Sequence, residues 1–162
     1  MTQNSAKTAA VFPAVRPRRL RRDAATRALV RESRLDTSDL ILPVFVQEGQ
    51  NRADDVKSMP GVQRLSLDRL LPVAQECVEL GIPVLALFPV IEPHLKTPDG
   101  IEATNPKGLV PRVVTELKMQ FPQLCVLTDI ALDPYTSHGQ DGLIDDSGYI
   151  LNDITVAMLC RQ

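Results

Sequence analysis

The sequence has few aromatic residues and no long hydrophobic run. Aromatic residues make up 4% of the 162, and tryptophan is absent. This scarcity disfavours a surface that binds nucleic acid by stacking on bases. No apolar run approaches the roughly 20 residues that a membrane span needs, and the N-terminus lacks the apolar segment of a secretion signal. We therefore expect a cytoplasmic protein that binds neither nucleic acid nor membrane.

Cysteine is also scarce. The three cysteines, Cys77, Cys125 and Cys160, are far apart, form no CxxC pair and are odd in number. That pattern disfavours a disulfide framework and fits a reducing compartment. Cys77 lies in a helical pattern and Cys125 in an apolar run, so we expect both to be small core residues.

Charge is unevenly distributed along the chain. Residues 1–34 carry Lys7 and eight arginines against Asp23 and Glu32, a net charge of +7, whereas the remainder carries −9, which gives −2 overall. We expect residues 1–15 to be disordered and residues 16–34 to form a basic arm that docks on an acidic surface, such as another copy of this chain. An organelle transit peptide and a nucleic-acid-binding segment are the alternatives.

The rest of the chain alternates strand and helix patterns. Continuous apolar runs at Leu40–Val46, Val84–Val90 and Leu124–Leu132 are typical of strands buried on both faces. Amphipathic patterns predict a helix capped by Ser66 and ended by Gly81, and a second helix from Pro106 to Phe121. This order predicts right-handed βαβ units and a parallel sheet, with chemistry at the carboxyl ends of the strands.

The connecting segments are polar. Residues 47–66 and 91–108 are predicted to be loops. Asp146-Ser147-Gly148 predicts a hairpin turn, followed by a helix over Ile154–Arg161 that Asn152 or Asp153 would cap. Asp23 is expected to cap a short helix in the basic segment.

The stretch DIALDPYTSHGQDG, Asp129 to Gly142, directly follows the third predicted strand. Its aspartates at 129, 133 and 141 would repel one another unless a cation, a bound amine or a shared proton is present. If the strand continued, Asp129 and Asp133 would lie on one face, and the loop could bring Asp141 back beside them. A catalytic site, a metal site and a solvated acidic loop all remain open on spacing alone.

These residues resemble porphobilinogen synthase, also called δ-aminolevulinic acid dehydratase. The resemblance covers roughly residues 16–162 and rests on several motifs: RPRRLRRDAATRALVRE, LILPVFV, SMPGVQRLS, LGIPVLALFPV, NPKGLVPRVV, YTSHG and GYILND. The family fold is a (β/α)8 TIM barrel preceded by an arm that embraces a neighbouring subunit, usually in a homo-octamer. The resemblance implies an α/β fold in which residues 35–162 form the N-terminal half of the barrel.

The resemblance also implies an activity and a site. The family enzyme condenses two 5-aminolevulinate molecules to porphobilinogen with loss of two waters, in tetrapyrrole (haem, chlorophyll, cobalamin) biosynthesis. Many members hold zinc with three cysteines, whose positions here are taken by Ala131, Asp133 and Asp141. Carboxylates favour harder cations than thiolates do, so the chain resembles the aspartate-rich, zinc-independent class.

The resemblance carries residue roles with it. Asp129, Asp133 and Asp141 become the catalytic residues, with Ser137 and His138 as supporting, shaping residues. Asp133 and Asp141 are the candidate metal ligands, for magnesium or a monovalent cation. The allosteric magnesium site of the family is expected in the half of the protein that this sequence does not contain.

Two features depart from the family. Each substrate forms a Schiff base with its own lysine, but none of the five lysines here matches the family's lysine motifs: Lys7, Lys57, Lys96, Lys107 and Lys118. A barrel of this kind also takes about 250 residues. The chain is therefore interpreted as an N-terminal fragment, inactive alone and poorly soluble or oligomeric. The alternative is a non-catalytic gene remnant that binds full-length subunits and modulates their assembly.

The same interpretation predicts which apolar residues a half-barrel would leave open to solvent. Its free sheet edge and the inward faces of its strands would be exposed. The apolar residues of those strands include Val44, Val46, Leu85, Leu87, Val126 and Leu127.

Overall fold

The computed structural model describes residues 12–162, which divide into two units, one ending at Leu35 and one beginning at Asp36. The first unit holds helix α1, Ala24–Leu29, preceded by a 3-10 turn at Arg19–Arg21. The carboxylate of Asp23 accepts a hydrogen bond from the Thr26 amide at 2.8 Å, which confirms the predicted cap. Most of the segment predicted to be disordered, residues 1–15, lies outside the described residues.

The second unit is built on a five-stranded mixed sheet. Its strands are β1 Ile41–Gln47, β2 Ala53–Asp55, β3 Gln63–Leu65, β4 Val84–Val90 and β5 Cys125–Thr128. They lie in the order β2-β3-β1-β4-β5, with β2 antiparallel to β3 and every other neighbouring pair parallel. The predicted parallel core of β1, β4 and β5 is confirmed. Closure into a barrel stays a prediction, because β2 and β5 are the edges of this sheet.

The prediction of a loop over residues 47–66 is wrong, since β2 and β3 lie within it. These short strands are held in place by hydrogen bonds from polar side chains, and their sequences lack the apolar pattern of the longer strands. The side-chain amide of Gln47 donates to the Asp54 carboxylate at 3.0 Å and to the Arg64 carbonyl at 2.8 Å. The Ser66 hydroxyl accepts from the backbone amide of Arg52 at 2.9 Å. Gln47 and Ser66 are both buried. Hydropathy could not reveal strands whose partners are polar.

Two helices cover one face of the sheet. Helix α2, Leu67–Leu80, begins after Ser66 and ends at Gly81, whose φ of +75° is the left-handed conformation that glycine favours. Helix α3, Leu109–Gln120, begins three residues later than predicted. Its start is delayed by a turn in which the Gly108 amide donates to the Asn105 carbonyl at 2.9 Å.

The core lies between these helices and the sheet. Val44, Val46, Leu85 and Leu87 are all buried there, so these four strand residues do not lie on the open face. The main helix residues of this core are Leu70, Ala74, Cys77, Val113 and Leu117. Burial of Cys77 confirms its predicted place.

The opposite face of the sheet is not covered by any described helix. Ile41 is 53% exposed and Leu127 is 42% exposed on that face, whereas Val126 is half-buried toward the helices. Cys125 is exposed, so its predicted core position is wrong. The physical reason is strand alternation, which turns residues 125 and 127 away from the helices.

The last described segment is a hairpin followed by a helix. Ile144 and Ile150 form an antiparallel bridge, and the Asp145 amide donates to the Tyr149 carbonyl at 3.0 Å, which confirms the predicted turn. Helix α4 spans Asn152–Leu159, two residues earlier than predicted at both ends. Among the described residues, no helix combines the length and apolar character that crossing a membrane requires.

Candidate functional site

The candidate site begins at the edge of the sheet where β4 and β5 end. These strands are parallel neighbours, and the last pair of their register joins Leu87 to Thr128. Asp129 follows immediately and is exposed. The carboxyl ends of parallel strands share one edge of a sheet, so the aspartate stretch lies where α/β proteins bind ligands.

The third predicted strand is shorter than expected. It ends at Thr128 rather than Leu132, so Asp129 and Asp133 do not share the face of one continuous strand. The chain turns instead, because the Leu132 carbonyl accepts hydrogen bonds from the amides of Tyr135 and Thr136, each at 2.9 Å.

Buried side chains anchor the turn that follows β5. Leu132 is 0% exposed, Tyr135 is 5% exposed and Thr136 is 1% exposed. Asp133, between these anchors, is exposed, as is Ser137 directly after them, while His138 is half-buried. The loop is therefore fixed by these buried side chains, and its polar groups at Asp133 and Ser137 face solvent.

A second loop supports the first. The Thr97 amide donates to the Tyr135 carbonyl at 3.2 Å, and the Ser137 amide donates to the Thr97 carbonyl at 3.0 Å. These bonds continue the adjacency of β4 and β5 beyond the ends of the strands. His138 adds a contact to the same loop, since its Nε2 lies 3.1 Å from the Pro98 carbonyl oxygen.

The three predicted aspartates share one electrostatic environment. Burial raises the pKa of Asp133, and the negative charges of Asp141 and Asp129 raise it further, whereas Lys96 opposes the shift. Asp133 is exposed overall. Its pKa is raised all the same, because neighbouring carboxylates repel whether or not the group is deeply buried. The loop thus returns Asp141 to the neighbourhood of Asp133, eight residues earlier.

The described residues contain no group of three or more histidine, cysteine, aspartate and glutamate side chains arranged to hold a metal ion. The set of candidate ligands is therefore the pair Asp133 and Asp141, which supplies only hard carboxylate oxygens. The metal role of this pair stays a prediction.

A small cavity of about 60 Å³ is lined in part by Asp129. Glu102, Thr128 and Tyr135 also line it. Burial, together with the charges of Glu102 and Asp129, raises the pKa of Tyr135 to about 12. The phenol is therefore neutral near pH 7 and can act only as a hydrogen-bonding group.

Sequence reasoning missed the contribution of the loop after β4. Thr97 forms a β-bridge with Thr136 in the aspartate loop, residues 129–142, and Lys96 lies close enough to lower the pKa of Asp133. The available signal was the turn sequence Thr97-Pro98-Asp99-Gly100 at the carboxyl end of the neighbouring strand. The Thr97 hydroxyl donates to Asp99 at 2.6 Å, which lowers the pKa of that carboxyl.

Comparison with known proteins assigns the family. The family model described as delta-aminolevulinic acid dehydratase matches residues 14–162. The chain belongs to the delta-aminolevulinic acid dehydratase family. The match contains both the loop after β4 and the whole aspartate stretch.

Individual relatives agree with this assignment. The chain is 49% identical over 158 residues to the delta-aminolevulinic acid dehydratase of Bradyrhizobium diazoefficiens, covering 98% of this chain and 44% of the relative. It is 45% identical to the chloroplastic dehydratase of Physcomitrium patens, covering 94% and 35% respectively. The chain spans less than half the length of these relatives.

A solved structure of the dehydratase family has the same fold. It is the delta-aminolevulinic acid dehydratase (porphobilinogen synthase) of Toxoplasma gondii in complex with the reaction product porphobilinogen. The similarity has a TM-score of 0.87 at 44% identity and covers 91% of this chain and 42% of the other. The α/β fold with its mixed sheet therefore matches that of a porphobilinogen synthase.

Proposed function

We propose that this chain supplies the β1–β5 part of a porphobilinogen synthase, which condenses two 5-aminolevulinate molecules with loss of two waters. The observation that carries the proposal is the family match over residues 14–162, which includes the candidate site. The substrate-binding lysines would come from a part of the protein that this sequence does not contain. The (β/α)8 barrel is part of the same proposal.

The candidate site has the charge needed for an amino ketone. Repulsion from Asp141 and Asp129 raises the pKa of Asp133. The ammonium group of 5-aminolevulinate would offset this repulsion when it binds among the three aspartates. Asp129, Asp133 and Asp141 would orient that amine and transfer protons at it. Ser137 and His138 would shape the loop. A raised pKa improves a carboxylate as a proton acceptor, which favours Asp133 for the proton-transfer role.

We also assign the site to the aspartate-rich, zinc-independent class. Its donor atoms are carboxylate oxygens, whereas Cys77 is buried in the core. Asp133 and Asp141 would hold magnesium or a monovalent cation, because hard oxygen ligands suit such ions. A bound cation would supply positive charge that lets both carboxylates remain ionised. An allosteric magnesium site in the rest of the protein and a cytoplasmic location remain predictions, and several plant relatives are named as chloroplastic.

The basic segment over residues 16–34 is proposed as the arm of a homo-octamer. Its support is the excess of arginine over acidic residues in that segment. No residue of α1 is buried within the part of the chain that the structure describes. An exposed basic segment of this kind is suited to binding an acidic surface.

A chimera tests the activity. This chain would replace the matching segment of the Bradyrhizobium diazoefficiens relative, and porphobilinogen formation would be measured with and without a zinc chelator. We expect activity that survives the chelator and falls by about 100-fold or more for Asp129→Ala, Asp133→Ala or Asp141→Ala. Asp146→Asn is the matched control, since this nearby carboxylate is also exposed. A folded but inactive chimera would refute the proposal.

The second candidate function is assembly without catalysis, in which the exposed basic segment over residues 16–34 would bind full-length subunits. Native mass spectrometry can separate the catalytic function from the assembly function. The chain would be mixed with the intact Bradyrhizobium diazoefficiens relative, and the masses of the oligomers would be measured. Mixed oligomers from a chain whose chimera is inactive would favour the assembly role.

A further inference from the structure

His138 makes hydrogen bonds through both nitrogen atoms of its ring. Nε2 lies 3.1 Å from the carbonyl oxygen of Pro98, forty residues earlier in the chain. Nδ1 lies 3.2 Å from the amide nitrogen of Gln140, within the same loop. The side chain thus links the loop after β5 to the loop after β4 and also closes its own turn.

The two partners decide which tautomer of the ring satisfies both hydrogen bonds. A carbonyl oxygen can only accept, so Nε2 must carry the hydrogen toward Pro98. An amide N–H can only donate, so Nδ1 must offer its lone pair to Gln140. The neutral Nε2–H tautomer alone satisfies both bonds.

The turn that His138 closes leads directly to Asp141. The Thr136 hydroxyl donates to the Gln140 carbonyl at 3.0 Å, so the peptide groups around Gln140 are held on both sides. Gly139 lies between with a φ of +72°, a conformation that permits the chain to reverse. Asp133 precedes this segment and Asp141 follows it. Any movement of the turn therefore changes the separation of the two carboxylates.

We propose that His138, as the neutral Nε2–H tautomer, is a positioning residue that clasps residues 136–141 to the loop after β4 and thereby sets the separation of Asp133 and Asp141. Because both ring nitrogens bond to the protein, His138 does not transfer protons itself. The clasp is independent of the reaction, whereas its effect on catalysis rests on the proposed function.

Two amide variants separate the two halves of the clasp. In His138→Asn the side-chain oxygen can replace Nδ1 and accept from Gln140, but nothing reaches Pro98. In His138→Gln the terminal amide can replace Nε2 and donate to Pro98, but the Nδ1 acceptor is lost. His138→Ala removes both bonds, and His94→Ala is the matched control because His94 is the other histidine and is exposed.

The first measurement uses the 162-residue chain with ¹⁵N-labelled histidine. We expect the His138 signals to show protonated Nε2 and unprotonated Nδ1, while His94 shows a mixture of tautomers. Amide exchange at residues 137–141, read by mass spectrometry with fragmentation, should be about tenfold faster in His138→Ala, as expected for a lost hydrogen bond. His138→Asn should restore protection of Gln140 alone, and His94→Ala should change nothing.

The second measurement follows the carboxylates and the reaction. The amide resonances of Asp133 and Asp141 should shift in His138→Ala and not in His94→Ala. In the chimera, kcat should fall by about tenfold or more in His138→Ala, because the carboxylates are misplaced, and should recover partly in His138→Gln or His138→Asn. An Nδ1–H tautomer, or unchanged exchange and resonances in folded His138→Ala, would overturn the clasp. An inactive parent chimera would refute the proposed function and leave those two measurements to decide the clasp.

Discussion

The ammonium group of Lys118 donates hydrogen bonds to the carbonyl oxygens of Leu124 and Pro122, each at 2.8 Å. These bonds join the last turn of α3 to the residue that precedes β5. A lysine that forms a Schiff base must be unprotonated and free to reach a substrate carbonyl. Lys118 is committed instead to the backbone, which agrees with its exclusion as a nucleophile on sequence grounds.

Replacing Lys118 by methionine should therefore destabilise the fold. Leu124 is 2% exposed, so its carbonyl would lose a charged donor with little access to water. We expect the free energy of unfolding to fall by about 1–2 kcal/mol in urea titrations. Lys107→Met is the control, since Lys107 is exposed. Equal stability of the two variants would mean that the Lys118 bonds contribute nothing.

The two faces of the sheet should respond differently to truncation. Leu87 is 1% exposed under the helices, whereas Leu127 is 42% exposed on the uncovered face. We expect Leu87→Ala to cost about 2–5 kcal/mol of unfolding free energy. Leu127→Ala in the same chain should cost less than about 1 kcal/mol, because its side chain already contacts solvent.

The chimera provides the matching comparison. If the uncovered face becomes the inside of a closed barrel, Leu127→Ala should lower the free energy of unfolding much more in the chimera than in the 162-residue chain. The loss caused by Leu87→Ala should be the same in both proteins. Thermal unfolding of both variants in both proteins measures this. A Leu127→Ala cost that does not change would argue against closure of the barrel.

Much of the fold could be predicted from apolar patterns. The strand over Val84–Val90 has the bounds that its apolar run predicted, and the helix ended by Gly81 is also where its pattern placed it. The pattern failed where polar groups decide the structure, as in β2 and β3. It also overextended β5, because an apolar run cannot reveal that the chain turns when Leu132 bonds to Tyr135 and Thr136.

The candidate site was predictable only in part. The sequence places Asp129, Asp133 and Asp141 after a strand, and the structure adds their shared electrostatic environment. Thr97 and Pro98 contact residues of the loop after β5, and the Pro98 contact spans forty residues of the chain. Such contacts follow from which strands are neighbours. The turn sequence after β4 indicates a turn, but it does not indicate which segment that turn contacts.

Neutralising Asp133 should stabilise the chain near neutral pH. The raised pKa means that the folded state disfavours the ionised carboxylate, so Asp133→Asn removes an unfavourable charge. The gain in unfolding free energy should be complete above the folded-state pKa. It should shrink as the pH falls through that pKa and vanish below the usual value of 3.8, where both states are protonated. Urea titrations from pH 3 to pH 7 would measure it.

Added cations should stabilise the chain as Asp133→Asn does. If Asp133 and Asp141 bind a hard or monovalent cation, magnesium or potassium should stabilise the parent chain and not Asp133→Asn. Asp146→Asn should keep the parent's response, because the pKa of Asp133 is raised by Asp141 and Asp129 and not by Asp146. A cation response that is identical in all three proteins would remove Asp133 from the proposed ligands.

Gly142 lies in the tightest position next to the candidate site. A Cβ atom there would lie 2.6 Å from Cγ2 of Ile150 and 2.9 Å from Oγ1 of Thr155. That same hydroxyl accepts a hydrogen bond from the Leu143 amide at 2.9 Å, so relief of the clash would break it. We expect Gly142→Ala to cost about 1–3 kcal/mol of unfolding free energy. Because Asp141 is the preceding residue, the substitution should also lower kcat in the chimera.

Gly61→Ala is the comparison, since a Cβ there meets nothing within 4 Å and only the backbone conformation at a φ of +85° opposes it. A smaller loss for Gly142→Ala than for Gly61→Ala would show that Ile150 and Thr155 move aside readily and do not restrict the space around Gly142.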